Sequence, residues 1–403
     1  MSTTRIAERV RRIKPSPSSA GADRLAQLRR EGRDIVSLMI GEPDFDTPVH
    51  IRRAAIAAID GGQTRYTQTA GTLALRQAIC AKLRRENGLA YEPSRVIVTV
   101  GAKHAIFNAL AVSLEAGDEV IVPAPYWVSY PDMVLACDGT PVTVACPESD
   151  GFLLTPAALE AAITPRTRWL ILNSPSNPTG AAYTAAQLRG LADVLLRHPQ
   201  VMVLTDDIYE HIRFTDSGNP HIAAVEPALL PRTLVINGVS KTFAMTGWRI
   251  GYAAGPAELI AALDMLQSQS TSGACSISQA AALAALTAPM NFLPGWVATY
   301  RERRDRAIAL IRAIPGLSCS VPDGAFYLYV NCAGLIGRTT PAGQRLATDL
   351  DVALYFMDEA GVAVIGGTSY GLAPYFRISI ATRVEVIEEA FRRIAASIAK
   401  LTP

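Results

Sequence analysis

Metal-ligand spacing and a disulfide framework are both missing from this sequence. Its 6 cysteines (Cys80, Cys137, Cys146, Cys275, Cys319 and Cys332) are scattered, with no C-x-x-C pair among them. Thiolate metal sites and disulfide-rich secreted scaffolds need close or regular spacing, so reduced thiols in a cytoplasmic protein are expected. The 5 histidines form no cluster, and no metal site is expected. An excess of one charge is missing too: 38 Lys+Arg stand against 36 Asp+Glu, a formal net charge of +2. That balance offers no general field for nucleic acid or an anionic membrane surface. No apolar run reaches the roughly 18 residues of a helical membrane span. The segment Arg5-Ile6-Ala7-Glu8-Arg9-Val10-Arg11-Arg12 is too charged for a secretory leader. Internal repeats and low-complexity stretches are likewise absent.

What is present is ample core material: 403 residues with 49% hydrophobic and 18% charged side chains. Chains beyond roughly 250–300 residues usually divide, so two domains are expected. Residues 1–45 read as an N-terminal arm with part of a small domain, 46–294 as a large domain, and 295–403 as the rest of the small one. Short apolar runs at 96–100, 120–122, 169–172, 201–205, 233–236 and 250–254 read as buried strands. Amphipathic stretches at 105–114, 185–197 and 258–267 read as helices between them. Continuous apolar strands separated by helices predict an α/β fold with a mostly parallel sheet covered on both faces. After Pro294 the pattern predicts a long helix at 297–313 and a strand pair near Cys319 and 326–330. A helix at 349–360, a strand at 376–380 and a terminal helix from Val384 follow. Lys14-Pro15-Ser16-Pro17-Ser18-Ser19 reads as an extended arm rather than a helix.

Ligands on parallel sheets bind outside the carboxyl ends of the strands, and here those ends are polar. The first runs into Gly101-Ala102-Lys103-His104, the third into Asn173-Ser174-Pro175-Ser176-Asn177-Pro178-Thr179-Gly180. The fourth ends in Asp206-Asp207-Ile208-Tyr209-Glu210, the fifth in Asn237-Gly238-Val239-Ser240-Lys241, with Arg249 eight residues on. Each alone has an ordinary structural explanation; their convergence at one sheet edge points to a site. Together they supply what pyridoxal 5′-phosphate requires. Lys241 offers an amine for a Schiff base. Arg249 can fork onto a phosphate, helped by the Ala102 and Lys103 amides at a helix start. Asp206 can keep the pyridine nitrogen protonated, with Asp207 as its competitor for that role. Asn177 and Tyr209 can hydrogen-bond the phenolic oxygen.

Ser240-Lys241-Thr242-Phe243-Ala244-Met245-Thr246-Gly247-Trp248-Arg249-Ile250-Gly251-Tyr252 resembles the lysine signature of the class I aminotransferases, which have the fold-type I architecture. Asn173–Gly180, Asp206–Tyr209 and Gly41-Glu42-Pro43-Asp44-Phe45 match that family in the same order, so the resemblance covers essentially the whole chain. It implies a large domain with a seven-stranded sheet sandwiched by helices, plus a smaller α/β domain. It also implies a homodimer with shared active sites, acting on amino acids and 2-oxo acids. Lys241 would be both the Schiff-base lysine and the base that shuttles the Cα proton, with Ser240 beside it in the cofactor site. Trp127, in Pro125-Tyr126-Trp127-Val128-Ser129-Tyr130, would stack on the ring. Tyr66 would reach the phosphate of the neighbouring subunit. Arg377 would grip the substrate α-carboxylate, assisted by Asn177 and the Gly41 amide; its planar fork suits a carboxylate. His104 and His211 would be structural.

The 14–16 arm, Gly101-Ala102-Lys103 and the stretch from Ala363 to Leu372 resemble a bacterial subgroup of aspartate aminotransferases, some of which accept prephenate. There the lysine matching Lys103 meets the distal carboxylate, and an arm hydroxyl, here Ser18, helps from above. Met39 and Ile40 are bulkier than the subgroup's usual residues, Ser18 replaces Thr, and Gly238 lacks a hydroxyl that some relatives carry. Aspartate with 2-oxoglutarate is the expected pair, with prephenate or aromatic substrates next and a β-lyase after that. A regulator's aminotransferase-like domain would need a DNA-binding domain ahead of it, and only about forty residues precede Gly41.

Overall fold

Apolar runs of four to seven residues build the centre of the molecule, seen in a computed structural model that describes residues 5–15, 17–216 and 218–403 and leaves out the side chains of 17–22. In chain order the strands are β1 (Val36–Ser37), β2 (Val96–Thr99), β3 (Glu119–Ala124), β4 (Thr140–Ala145), β5 (Thr167–Asn173) and β6 (Met202–Asp206). They continue with β7 (Thr233–Gly238), β8 (Gly251–Ala254), β9 (Tyr327–Asn331), β10 (Val362–Ala363), β11 (Ile365–Gly366) and β12 (Tyr375–Ser379).

Seven of them form one sheet in the order β2-β8-β7-β6-β5-β3-β4. Only β8 runs antiparallel to its neighbours. The mostly parallel, helix-covered sheet expected from the sequence is therefore present. Its inner strands are apolar along their length because both faces are covered: Val203, Leu204, Leu234, Val235 and Ile236 have no exposed surface. β4 was not anticipated. It is an edge strand bonded only to β3, and every residue of its Thr-Pro-Val-Thr-Val-Ala sequence is half-buried or exposed, so it lacks a continuous apolar signal.

A second, three-stranded antiparallel sheet has the order β11-β12-β9. It packs with the helices Leu293–Arg312 and Val384–Ile398 around Phe326, Phe356, Phe376 and Phe391. Full burial of such a ring contributes roughly 1.5–3 kcal/mol each. The expected helix at 349–360 divides into an α-helix, Asp349–Tyr355, and a π turn, Phe356–Ala360. The strand expected near Cys319 is reduced to a single bridge between Ser318 and Asn331.

The N-terminal segment belongs spatially to this second sheet's side. β1 pairs with β10, and the Ser379 amide donates to the Leu38 carbonyl at 2.7 Å. That anchoring carries Met39-Ile40-Gly41 towards the carboxyl ends of the large sheet. The expected extended arm at 14–19 needs correction: a helix, Pro17–Arg30, begins inside it. Proline is well tolerated in a first helical turn, where its missing N–H costs nothing.

Candidate active site

The strand register brings the site together. Asn173 and Asp206, the last residues of β5 and β6, stand opposite one another, and the Asn173 side-chain amide donates to the Asp206 carbonyl at 2.7 Å. One strand over, β7 runs on through Val239 and Ser240 to Lys241. A cavity of about 440 Å³ opens at these ends, and Gly41, Ala102, Lys103, Trp127, Asn177, Asp206, Tyr209, Ser240, Lys241, Arg249 and Arg377 all line it. Residues drawn from the whole length of the sequence thus share one concave space.

Lys241 Nζ donates to the Gly41 carbonyl. Burial lowers its ammonium to about 8; the Arg377 and Arg249 cations add to that effect, and the carboxylates of Glu42 and Asp206 oppose it. An amine in that range is neutral often enough near physiological pH to act as nucleophile or base. Asp206 is 5% exposed. Burial lifts its carboxyl to about 6, held back by a hydrogen bond from the Tyr130 hydroxyl and pushed on by Asp207. Its Oδ1 is buried with no partner among the described residues. A buried carboxylate oxygen left open in this way is an acceptor waiting for a ligand's N–H.

Opposite, two glycines let Arg249 lie against a helix start. Gly101 has φ +81°, and a Cβ there would stand 2.4 Å from Arg249 Nη2. A Cβ on Gly251 would meet the Ala102 nitrogen at 2.2 Å. The guanidinium and the first amides of the helix Ala102–Ala111 therefore face the cavity together, a suitable cradle for a phosphate. Lys103 Nζ lies 4.7 Å from the centre of the Trp127 ring. The fold also explains Gly238: a side chain there would crowd the Ile250 carbonyl at 2.9 Å.

Arg377 is 3% exposed on β12. Its Nη1 donates to Asn177 Oδ1 at 3.0 Å and its Nη2 to the Met39 carbonyl at 2.6 Å, while Nε has no partner among the described residues. Its guanidinium sits over the Tyr327 and Tyr370 rings, 4.4 and 5.3 Å from their centres. Tyr209 and Tyr327 share a hydroxyl hydrogen bond of 2.8 Å.

One expected residue, Tyr66, does not line this cavity. Tyr66 is 96% exposed and borders a separate surface hollow with Thr67 and Cys275. Ser18 falls within the helix Pro17–Arg30, and its side chain lies outside the described residues. His104 Nδ1 accepts from the Val100 amide at 3.3 Å, closing the turn into its helix. His211 bridges Thr242 and Glu86 at 3.0 and 2.9 Å. Glu86, Glu210 and His211 come close together, but the buried Lys82 ammonium already pairs with both carboxylates. Asp207 accepts from Thr205 Oγ1 at 3.0 Å and lies 3.5 Å from His221 Nε2, apart from the cavity lining. Sequence reading passed over Tyr130, Tyr327 and the exposed Glu42, which accepts from Thr246 at 2.7 Å. Tyr130 and Glu42 left signals: Tyr130 follows Trp127 at the i+3 spacing of a helix start, and Glu42 lies within the Gly41–Phe45 motif.

Comparison with known proteins agrees over nearly the full chain. Residues 33–394 match the family described as aminotransferase class I and II. The aspartate/prephenate aminotransferase of Cereibacter sphaeroides (strain ATCC 17029 / ATH 2.4.9) is 52% identical over 397 residues, 98% of this chain and 99% of its own. The crystal structure of the Rhizobium meliloti aspartate aminotransferase superposes with a TM-score of 0.97 at 51% identity, covering 99% of this chain and 100% of that one. The Thermus thermophilus aspartate aminotransferase, solved with maleate, gives 0.91 at 41% identity, covering 98% and 100%.

Proposed function

The chain belongs to the class I and II aminotransferases, and from that membership we propose that it transfers the amino group of L-aspartate to 2-oxoglutarate, giving oxaloacetate and L-glutamate, with pyridoxal 5′-phosphate as its cofactor. The observation that carries the substrate assignment is the presence of two cations, Arg377 and Lys103, in one cavity with Lys241. A dicarboxylic substrate needs a charge partner for each carboxylate it brings out of water. The names of the relatives support this reading, as does the dicarboxylate maleate in the Thermus structure.

The residues present fit the cofactor. The open Asp206 Oδ1 suits a pyridine N–H, Arg249 and the Ala102 and Lys103 amides suit a phosphate, and Ser240 stands beside them. Trp127 offers a flat face, and Asn177 and Tyr209 offer polar atoms at the ring's edge. Bound there, the cofactor supplies an electron sink for the charge left when the substrate Cα loses its proton. Lys241 takes that proton and returns it, so a single base serves both halves of a ping-pong reaction. Arg377 orients the α-carboxylate through its unpaired edge, with Asn177 and Met39 fixing the guanidinium plane. Tyr66, too exposed to serve its own cavity, is available to a second copy, and we assign it to the neighbour's phosphate site in a homodimer. Among the described residues no helix is long and apolar enough to cross a membrane; a cytoplasmic location is part of the proposal.

Steady-state assay of oxaloacetate formation from L-aspartate and 2-oxoglutarate, with prephenate and phenylpyruvate as parallel acceptors, tests the reading. Brisk aspartate turnover is expected, and none would overturn it. Prephenate is the second candidate, because half-exposed Ile40 adds apolar wall to the same cavity and the Cereibacter relative carries prephenate in its name. Lys103→Ala should lower kcat/KM for aspartate roughly 10- to 100-fold, the worth of a charge-assisted hydrogen bond. Alanine should be nearly unaffected; equal losses for both amino acids would remove Lys103 from the distal-carboxylate role.

A further inference from the structure

The two oxygens of Asp206 have different surroundings. Oδ2 accepts from the Tyr130 hydroxyl at 2.6 Å, while Oδ1 is buried and open. Tyr130 is itself 2% exposed, in the first turn of the helix Ser129–Ala136. Its ring meets Trp127 edge-on at 5.3 Å and 85°, and its amide donates to the Trp127 carbonyl at 3.0 Å. The phenol is thereby locked, and its short bond to an acid is one that an ionised carboxylate strengthens.

We propose that Tyr130 is a positioning residue for the cofactor's pyridine nitrogen: by holding Oδ2 it turns Oδ1 to the cavity and keeps the Asp206 carboxylate ionised. This rests on the cofactor reading above. The other groups acting on Asp206 are few. Asp207, tied to Thr205 and His221, disfavours its charge; the Ile208 amide and the Lys241 ammonium favour it. Of these helpers, Lys241 leaves the balance whenever its ammonium loses its proton. Tyr130 and the Ile208 amide then hold the charge against burial and Asp207. Without the phenol, the carboxyl shifts towards its protonated form, and a protonated acid no longer holds a protonated pyridine.

The test uses Tyr130→Phe in the full chain, which keeps the ring and its contact with Trp127. Titration of the apo protein with pyridoxal 5′-phosphate should show roughly 10- to 100-fold weaker retention, the loss of a hydrogen bond to a charged group. The pH midpoint of the bound cofactor's visible absorption should move up, because a ring without its pyridinium charge leaves the titrating nitrogen more basic. The kcat should fall while KM for aspartate stays within about twofold, since the Tyr130 hydroxyl bonds to Asp206 and not to Arg377. Adding Tyr130→Phe to Asp206→Asn should change these readouts little further, as the phenol acts through the carboxylate. A folded Tyr130→Phe protein with wild-type retention and midpoint would overturn the proposal. So would a full additional loss on the Asp206→Asn background. If Tyr130→Phe does not fold, a fluorinated tyrosine at 130 keeps the shape and strengthens the donor. It should then move the midpoint down, and no movement counts against the proposal. A wild-type chain that takes up no cofactor overturns the cofactor reading, and this one with it.

Discussion

Lys241→Ala should reduce transamination by at least about 10⁴-fold, the upper range for losing a positioned acid–base group, with the cofactor's covalent attachment lost as well. Single-turnover assays and reduction with borohydride followed by peptide mapping check both halves of that result. Retained turnover above that level would move the role to another amine. The wild-type amine's own pH dependence has a fixed sign. Only the neutral form attacks a carbonyl, so loading of the apo chain should accelerate as pH rises and level off above about 8, well below the ordinary lysine value. The same lowering has a stability consequence. Between about 8 and its unfolded value, Lys241 carries its proton in the unfolded chain and not in the folded one. Its contribution to stability therefore rises with pH through that window and is least favourable below it. At neutral pH the apo Lys241→Ala chain should consequently melt no lower than apo wild type, the pattern of a site that trades stability for function.

Arg377→Ala should lower kcat/KM for every amino acid and 2-oxo acid by about 10²–10³-fold, chiefly through KM, because truncating one side of a buried charge pair costs about 2–5 kcal/mol. Steady-state kinetics with aspartate, glutamate and alanine should show losses of similar size, unlike the selective effect of Lys103→Ala. A loss confined to dicarboxylic substrates would reverse the two assignments. Arg377→Lys should rescue poorly. An ammonium cannot span Asn177 Oδ1 and the Met39 carbonyl while presenting a third donor edge, nor lie flat over Tyr327. The variant has a second signature: Arg377 helps to depress the Lys241 ammonium, so its removal should move the loading midpoint upward.

Much of this was legible from residues alone because the site is built at strand ends. A strand that closes on Asp206, or runs on to Lys241, announces both its burial and its polar terminus in consecutive letters. The Asn173–Gly180 and Ser240–Tyr252 runs keep their chemistry contiguous for the same reason. Edge strand β4 and the helix beginning at Pro17 were misread because a half-buried edge and a Pro/Ser-rich start carry weak or misleading local signals. Tyr327 had no signature at all, since nothing in its neighbours marks a tyrosine as facing a cavity rather than a core.

By itself the sequence determined the α/β class, the motif order and the family, because periodicity and contiguous motifs are local properties of the chain. The tertiary structure alone decided which groups meet. It set Asp206 against Tyr130, more than seventy positions away, and left one carboxylate oxygen open. It laid the Arg249 guanidinium where only a glycine at 101 allows it. It joined Arg377 to Asn177 and Met39 by pairing the N-terminal segment with β10 and bonding Leu38 to the end of β12. Burial, hydrogen-bond geometry and the electrostatic balance on Lys241 depend on distances between remote residues, and those distances exist only once the sheets have closed around the cavity.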